Sequence, residues 1–110
     1  MGDVLTELAR AGLQSDQRYT ESYIHQRISR GYGPLRIRRE LAERGVATDL
    51  IEQALEALDV DWFEAMAAVR VKRFGPAPPS DFREQSRQSR FLQYRGFSGE
   101  QISRLFRTAG

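Results

Sequence analysis

The side chain best suited to moving protons near neutral pH occurs once in this chain. His25 sits between Ile24 and Gln26, with no serine and acid spaced around it to form a nucleophilic relay. It reads as a surface histidine. One histidine among scattered carboxylates is also a poor set for a transition metal. There is no cysteine, which excludes disulfides, thiolate nucleophiles and cysteine-ligated metals. Gly31-Tyr32-Gly33-Pro34 is glycine-dense but lacks the Gly-Lys-Ser/Thr that completes a phosphate loop, so it reads as a helix–helix corner. No catalytic residue, metal ligand or cofactor is expected, and the chain reads as a binding protein rather than an enzyme.

What remains is recognition by charge. Of the 17 basic residues only Lys72 is lysine; the rest are arginines, whose planar forks grip carboxylate or phosphate and stack on rings. A genome rich in Arg codons is the bland alternative. Residues 1–64 hold 8 Arg against 12 acids, net −4, whereas residues 65–110 hold 9 basic residues against 3 acids, net +6. Two candidate surfaces follow. The first is Arg27, Arg30, Arg36, Arg38, Arg39 and Arg44, diluted by Glu40 and Glu43. Arg36 with Glu40, and Arg39 with Glu43, have ion-pair spacing on a helix, and a solvated helix face is the alternative reading. The second is Arg70, Lys72, Arg73, Arg83, Arg87, Arg90 and Arg95, with Tyr94 among them. Its charge is nearly uncompensated, which favours a binding role.

The elements that must position these groups are helices. Seven helical stretches can be read between Gly and Pro punctuation. They are Asp3–Ala11, residues 16–30, a stretch from Pro34 to Gly45, residues 48–58, residues 61–73, Asp81–Arg95, and one opening at Ser98. Tyr19, Tyr23, Ile24 and Ile28 recur at helical spacing, Leu35, Ile37 and Leu41 are the apolar residues of the next helix, and Leu50, Ile51, Ala54, Leu55 and Leu58 make an apolar stripe. Trp62, Phe63, Met66 and Val69 read as core anchors rather than a base-stacking platform. Pro76, Pro78 and Pro79 force an extended connector. Ser98 and Gln101 have capping-box spacing. No strand signal competes, because period-two alternation is absent.

The chain repeats itself. At a shift of 51 residues Leu41 aligns with Leu92, Arg44-Gly45-Val46 with Arg95-Gly96-Phe97, Asp49 with Glu100, Ile51 with Ile102, and Ala54-Leu55 with Leu105-Phe106. Each copy is a helix ending at a glycine able to turn left-handed, an apolar residue folding back over the junction, and a helix starting with an acid. A further helix precedes each pair. The expected organisation is therefore residues 1–15 as the last helix of an incomplete repeat, then three-helix repeats at 16–60 and 61–110. The abrupt start suggests that an earlier unit is missing.

Several strings resemble the bacterial RecX family. They are Ser15-Asp16-Gln17-Arg18-Tyr19-Thr20-Glu21-Ser22-Tyr23, Arg30-Gly31-Tyr32-Gly33-Pro34-Leu35-Arg36-Ile37, Asp61-Trp62-Phe63, and Arg90-Phe91-Leu92-Gln93-Tyr94-Arg95-Gly96-Phe97-Ser98. The resemblance runs from about residue 13 onward. It implies an all-α fold of tandem three-helix, helix-turn-helix-like repeats, elongated and curved. It further implies a regulator that binds the RecA recombinase filament on single-stranded DNA. Such a regulator limits filament growth and inhibits ATP hydrolysis, strand exchange and co-protease function, within DNA recombination, repair and the SOS response. Family members usually carry three units, so the missing part would bear on affinity.

Direct, non-specific DNA binding by a helix-turn-helix is the competing reading. In the first unit it meets Asp49, Glu52 and Glu56 on the helix that would face phosphates, with no base beside them. Arg104 and Arg107 make the last helix less hostile, so weak single- or double-stranded DNA contact stays open, as does a plain helical scaffold. Cysteine-free composition suits a reducing cytoplasm. No apolar run is long enough to span a membrane, the first residues lack the order of a signal peptide, and a monomer is expected.

Overall fold

The computed structural model describes the chain from Leu13 to Ala109. The expected helix at Asp3–Ala11 lies outside the described residues. Six helices occur within them: α1 (Leu13–Ser29), α2 (Pro34–Glu43), α3 (Thr48–Leu58), α4 (Trp62–Phe74), α5 (Phe82–Arg95) and α6 (Gly99–Ala109). No strand is present among the described residues, and the fold is all-α.

The helix ends follow from local chemistry. Asp61 and Asp81 each accept the backbone N–H three residues on, from Glu64 at 3.0 Å and Glu84 at 2.8 Å, and so cap α4 and α5. Ser98 and Gln101 form the reciprocal box that starts α6: the Gln101 N–H donates to Ser98 Oγ at 3.1 Å, and the Ser98 N–H to Gln101 Oε1 at 2.8 Å. α1 begins three residues before Asp16, which sits in its first turn, where the helix dipole favours an acid.

The two aligned corners are built alike. Gly45 and Gly96 are both left-handed, at φ 89° and 106°. In one, the Gly45 N–H donates to the Ala42 carbonyl and the Val46 N–H to Leu41; in the other, Gly96 donates to Gln93 and Phe97 to Leu92. This is the Schellman pattern at the same register in both copies. The residues after the glycines, Val46 and Phe97, are buried at 9% and 2% exposure.

By contact the chain divides into two compact units. The first runs to Arg30 and resumes over Ile37–Val60; the second takes Gly31–Arg36 together with residues from Asp61 onward. Gly31–Arg36 thus groups with the second unit, although a division at 60/61 follows from the repeat alone. In the first unit α1 packs on α3, and Ile24, Ile37, Leu41, Ile51, Ala54 and Leu55 are buried. In the second, Met66, Leu92, Phe97, Ile102, Leu105 and Phe106 form the core. Trp62, Phe63, Ala67, Val69 and Phe91 lie half-buried against it. Each large apolar side chain buried in this way contributes roughly 1.5–3 kcal/mol relative to exposure. Leu35, by contrast, is 51% exposed. It lies two residues, about 200° of helix rotation, from Ile37, so the two cannot share a face.

Candidate arginine-rich binding face

α5 carries the most continuous basic surface. Arg83, Arg87, Arg90 and Tyr94 are spaced four, three and four residues apart, which sets them on one stripe of the helix, and all four are exposed. The opposite side carries the buried Gln88 and Leu92, so the stripe faces away from the core. From Arg83 to Tyr94 it extends about 16 Å, at about 1.5 Å rise per residue. Glu84 pairs with Arg87 at 2.6 Å and raises its guanidinium above the usual arginine value through that hydrogen bond. Arg83 and Arg90 make no hydrogen bond or ion pair among the described residues.

At Tyr94 and at Arg87 the stripe joins a row of guanidinium groups and aromatic rings, all within the second unit. Arg36 lies over Tyr94 at 5.4 Å and over Tyr32 at 4.5 Å. Arg95 lies over the same Tyr32 at 4.9 Å and over Phe91 at 5.1 Å. Arg73 covers Phe91 at 5.3 Å, Phe91 meets Phe74 edge-on at 5.3 Å, and Arg87 covers Phe74 at 5.0 Å. Each such pair contributes about 0.5–1 kcal/mol at exposed sites. Collectively they hold the side chains in a fixed order.

The backbone explains how Arg36 reaches Tyr94. The Gly33 N–H donates to the Arg95 carbonyl at 2.7 Å, and the Leu35 N–H to the Gly96 carbonyl at 3.0 Å. A Cβ on Gly33 would lie 2.6 Å from Gly96 backbone atoms, and one on Gly96 would lie 2.4 Å from Arg36 Cβ. Two bare glycines therefore permit this approach of backbone to backbone. Arg36 also donates to the Tyr94 carbonyl at 3.3 Å.

Other expected binding residues are used differently. Arg70 is a correction: it is 5% exposed and does not face solvent. Its guanidinium donates to the carbonyls of Ala77 and Pro76 and to Gln88 Oε1, tying the proline connector to α4 and α5. A buried guanidinium needs such acceptors to offset lost hydration, so Arg70 has a structural task. Lys72 and Arg73 remain exposed on the last turn of α4. In the first unit Arg27 forks onto Glu40 through two 2.9 Å hydrogen bonds, and Tyr23 donates to the same carboxylate at 2.9 Å. Glu40 is thus gripped by Arg27 across two helices. Arg38 forks onto Glu52, Arg44 lies over Tyr23, and Arg30 and Arg39 are exposed. Burial first, and the Glu40 hydrogen bond second, raise the Tyr23 hydroxyl above its usual value. Tyr32, Phe74 and Phe91 do not stand out as binding residues in the sequence. Tyr32 and Phe91 each have one cation four residues on, Arg36 and Arg95, a spacing that signals contact on a helix, but their other partners and those of Phe74 come from distant parts of the chain.

Among the described residues no group of three or more His, Cys, Asp or Glu could hold a metal ion, and no helix is long and apolar enough to cross a membrane. Residues 15–55 match the second three-helix domain of RecX, and residues 59–106 match the third. The chain belongs to the RecX family. A regulatory protein RecX from Halorhodospira halophila is 46% identical over 99 residues, covering 90% of this chain and 62% of its own length. That of Pseudomonas putida strain GB-1 is 50% identical over 101 residues, covering 92% and 65%. That of Ectopseudomonas mendocina is 46% identical over 103 residues, covering 94% and 69%. The chain therefore spans less than two-thirds of the length of the first and close to two-thirds of the others. RecX is a family of regulatory proteins, not of enzymes. The α5 stripe falls in its third domain, and the first unit's arginine–glutamate pairs fall in its second.

Proposed function

We propose that this RecX-family chain binds the RecA recombinase filament on single-stranded DNA in the cytoplasm and restrains its growth. ATP hydrolysis, strand exchange and co-protease activity fall with it. The observation that carries this reading is the basic stripe of α5: four aligned, exposed side chains, three of them arginine, on the face opposite the core. A filament of protein on nucleic acid offers phosphates, and bidentate arginine suits them. Arg30, Arg39, Lys72 and Arg73 would add long-range attraction. Binding in this mode needs no helix-turn-helix contact to duplex DNA. α3, which would lie against phosphates in that geometry, exposes Asp49, Glu52 and Glu56. The test is RecA's single-strand-dependent ATPase titrated with the chain at two salt concentrations. Inhibition that weakens with salt supports the reading, and no inhibition at micromolar protein removes it.

A further inference from the structure

We infer that the exposed end of the α5 stripe, Tyr94 with Arg36 behind it and Arg90 one turn away, is a binding site for a single strand of nucleic acid, one base stacking on the Tyr94 ring. This deepens the proposed filament-binding reading, on which it rests, by naming the filament component that the α5 face touches. Tyr94 is 75% exposed, among the largest apolar exposures of the described chain. Arg36 covers its ring at 5.4 Å and donates to its carbonyl, and Arg36 is itself pressed onto Tyr32. A ring left open beside cations is the arrangement that single-strand binding uses: any base has a π-face to stack, and arginines follow the phosphates. An acidic protein surface would engage Arg83, Arg87 and Arg90 by charge and would leave a free oligonucleotide unbound, which the experiment below distinguishes.

The dimensions and charge agree. The stripe of about 16 Å matches roughly four to five nucleotides of one strand at duplex spacing. Among the described residues the acid paired on it is Glu84, which engages Arg87 and leaves Arg83 and Arg90 to meet phosphates. The alternating row behind it, Arg36, Tyr32, Arg95 and Phe91, sets the ring and the cations before any ligand arrives, so little side-chain freedom is lost on binding.

The experiment is anisotropy of a fluorescein-labelled oligothymidylate titrated with the intact chain, without RecA, over a series of salt concentrations. Tyr94→Ala weakens binding about tenfold and leaves the salt slope unchanged, because a stacked base and no phosphate contact is lost. Tyr94→Phe keeps the affinity within about twofold, since a phenylalanine ring also stacks bases. Arg90→Gln lowers the slope of log K against log salt by about 0.7, the loss of one phosphate contact on a single strand. Tyr94 and Arg90 are exposed, so circular dichroism of all three variants matches the parent. No oligothymidylate binding by the parent chain, or equal affinity in Tyr94→Ala, overturns the inference. Titration of the RecA ATPase runs in parallel. Inhibition without oligonucleotide binding defeats this site and leaves the regulatory reading standing. Tyr94-dependent oligonucleotide binding without inhibition supports the site and defeats the regulatory reading.

Discussion

Gly33 and Gly96 meet backbone to backbone, and this contact sets a measurable difference between glycine-to-alanine substitutions. Three positions separate the causes. Gly75, at φ 88° and ψ 171°, has nothing within 4 Å of the point where a Cβ would lie, so Gly75→Ala carries only backbone strain of about 1–3 kcal/mol. Gly33 is not left-handed, but its Cβ would lie 2.6 Å from the Gly96 carbonyl carbon and oxygen and 2.7 Å from the Phe97 nitrogen. All three are backbone atoms of a hydrogen-bonded corner and cannot swing aside. Forcing them apart costs about 1–3 kcal/mol as overpacking, and weakening the Gly33–Arg95 and Leu35–Gly96 hydrogen bonds adds about 1 kcal/mol each. Gly33→Ala should therefore lose about 3–5 kcal/mol. Gly96→Ala combines both causes, since its φ is 106° and its Cβ would meet Arg36 Cβ at 2.4 Å. At roughly 4–8 °C per kcal/mol, the melting temperature falls by about 5–25 °C for Gly75→Ala, and further for the other two at the same conversion. The single tryptophan, Trp62, lies half-buried against the second unit's core and reports the melt by fluorescence. If Gly33→Ala melts no lower than Gly75→Ala, the close approach is not a feature of the folded chain.

Two further outcomes follow from single side chains. Arg70→Ala should lower the unfolding free energy by about 3 kcal/mol in a urea titration, because the Ala77 and Pro76 carbonyls and Gln88 lose a charged donor. A loss under about 0.5 kcal/mol would show that Arg70 does not hold the connector. The Tyr23 hydroxyl, held above its usual value of 10.0 by burial and by Glu40, favours the fold while protonated. Its contribution is present below pH 10, is lost as pH rises past that value through the folded-state pKa, and is absent in Tyr23→Phe. Urea midpoints across the alkaline range check this, and identical pH profiles for the two proteins would refute it.

Local chemistry was legible in the residues, and long-range chemistry was not. α3 begins and ends at the residues that its stripe and flanking turns predict, and the Ser98–Gln101 box forms as spaced. The Arg-Gly-apolar corners could be aligned because each is made within six residues of backbone. Arg70 looked like surface charge, since its acceptors are main-chain carbonyls and one glutamine, which leave no mark in a charge count. The grip of Arg27 on Glu40 depends on how two helices pack, which the spacing within one helix does not show. The ring–cation row was invisible for the same reason: Arg36 and Tyr94 are 58 residues apart and meet through a backbone contact between two glycine corners. The three arginines and tyrosine of α5 belong on sequence to a broader basic cluster, and their common stripe required the helix and its buried side.

If the outer face of α5 acts on a RecA filament, its charge must set the strength of inhibition. Arg83→Glu with Arg90→Glu reverses two charges that have no hydrogen bond or ion pair among the described residues, so helicity should stay as in the parent. The direct measurement is inhibition of RecA's single-strand-dependent ATPase by parent and double variant at equal concentration and low salt. Salt-sensitive inhibition is expected from the parent, and at least about tenfold weaker inhibition from the variant, consistent with about 1.4 kcal/mol or more from losing two phosphate contacts and adding two repulsions. Equal inhibition by both proteins would contradict a role for this face.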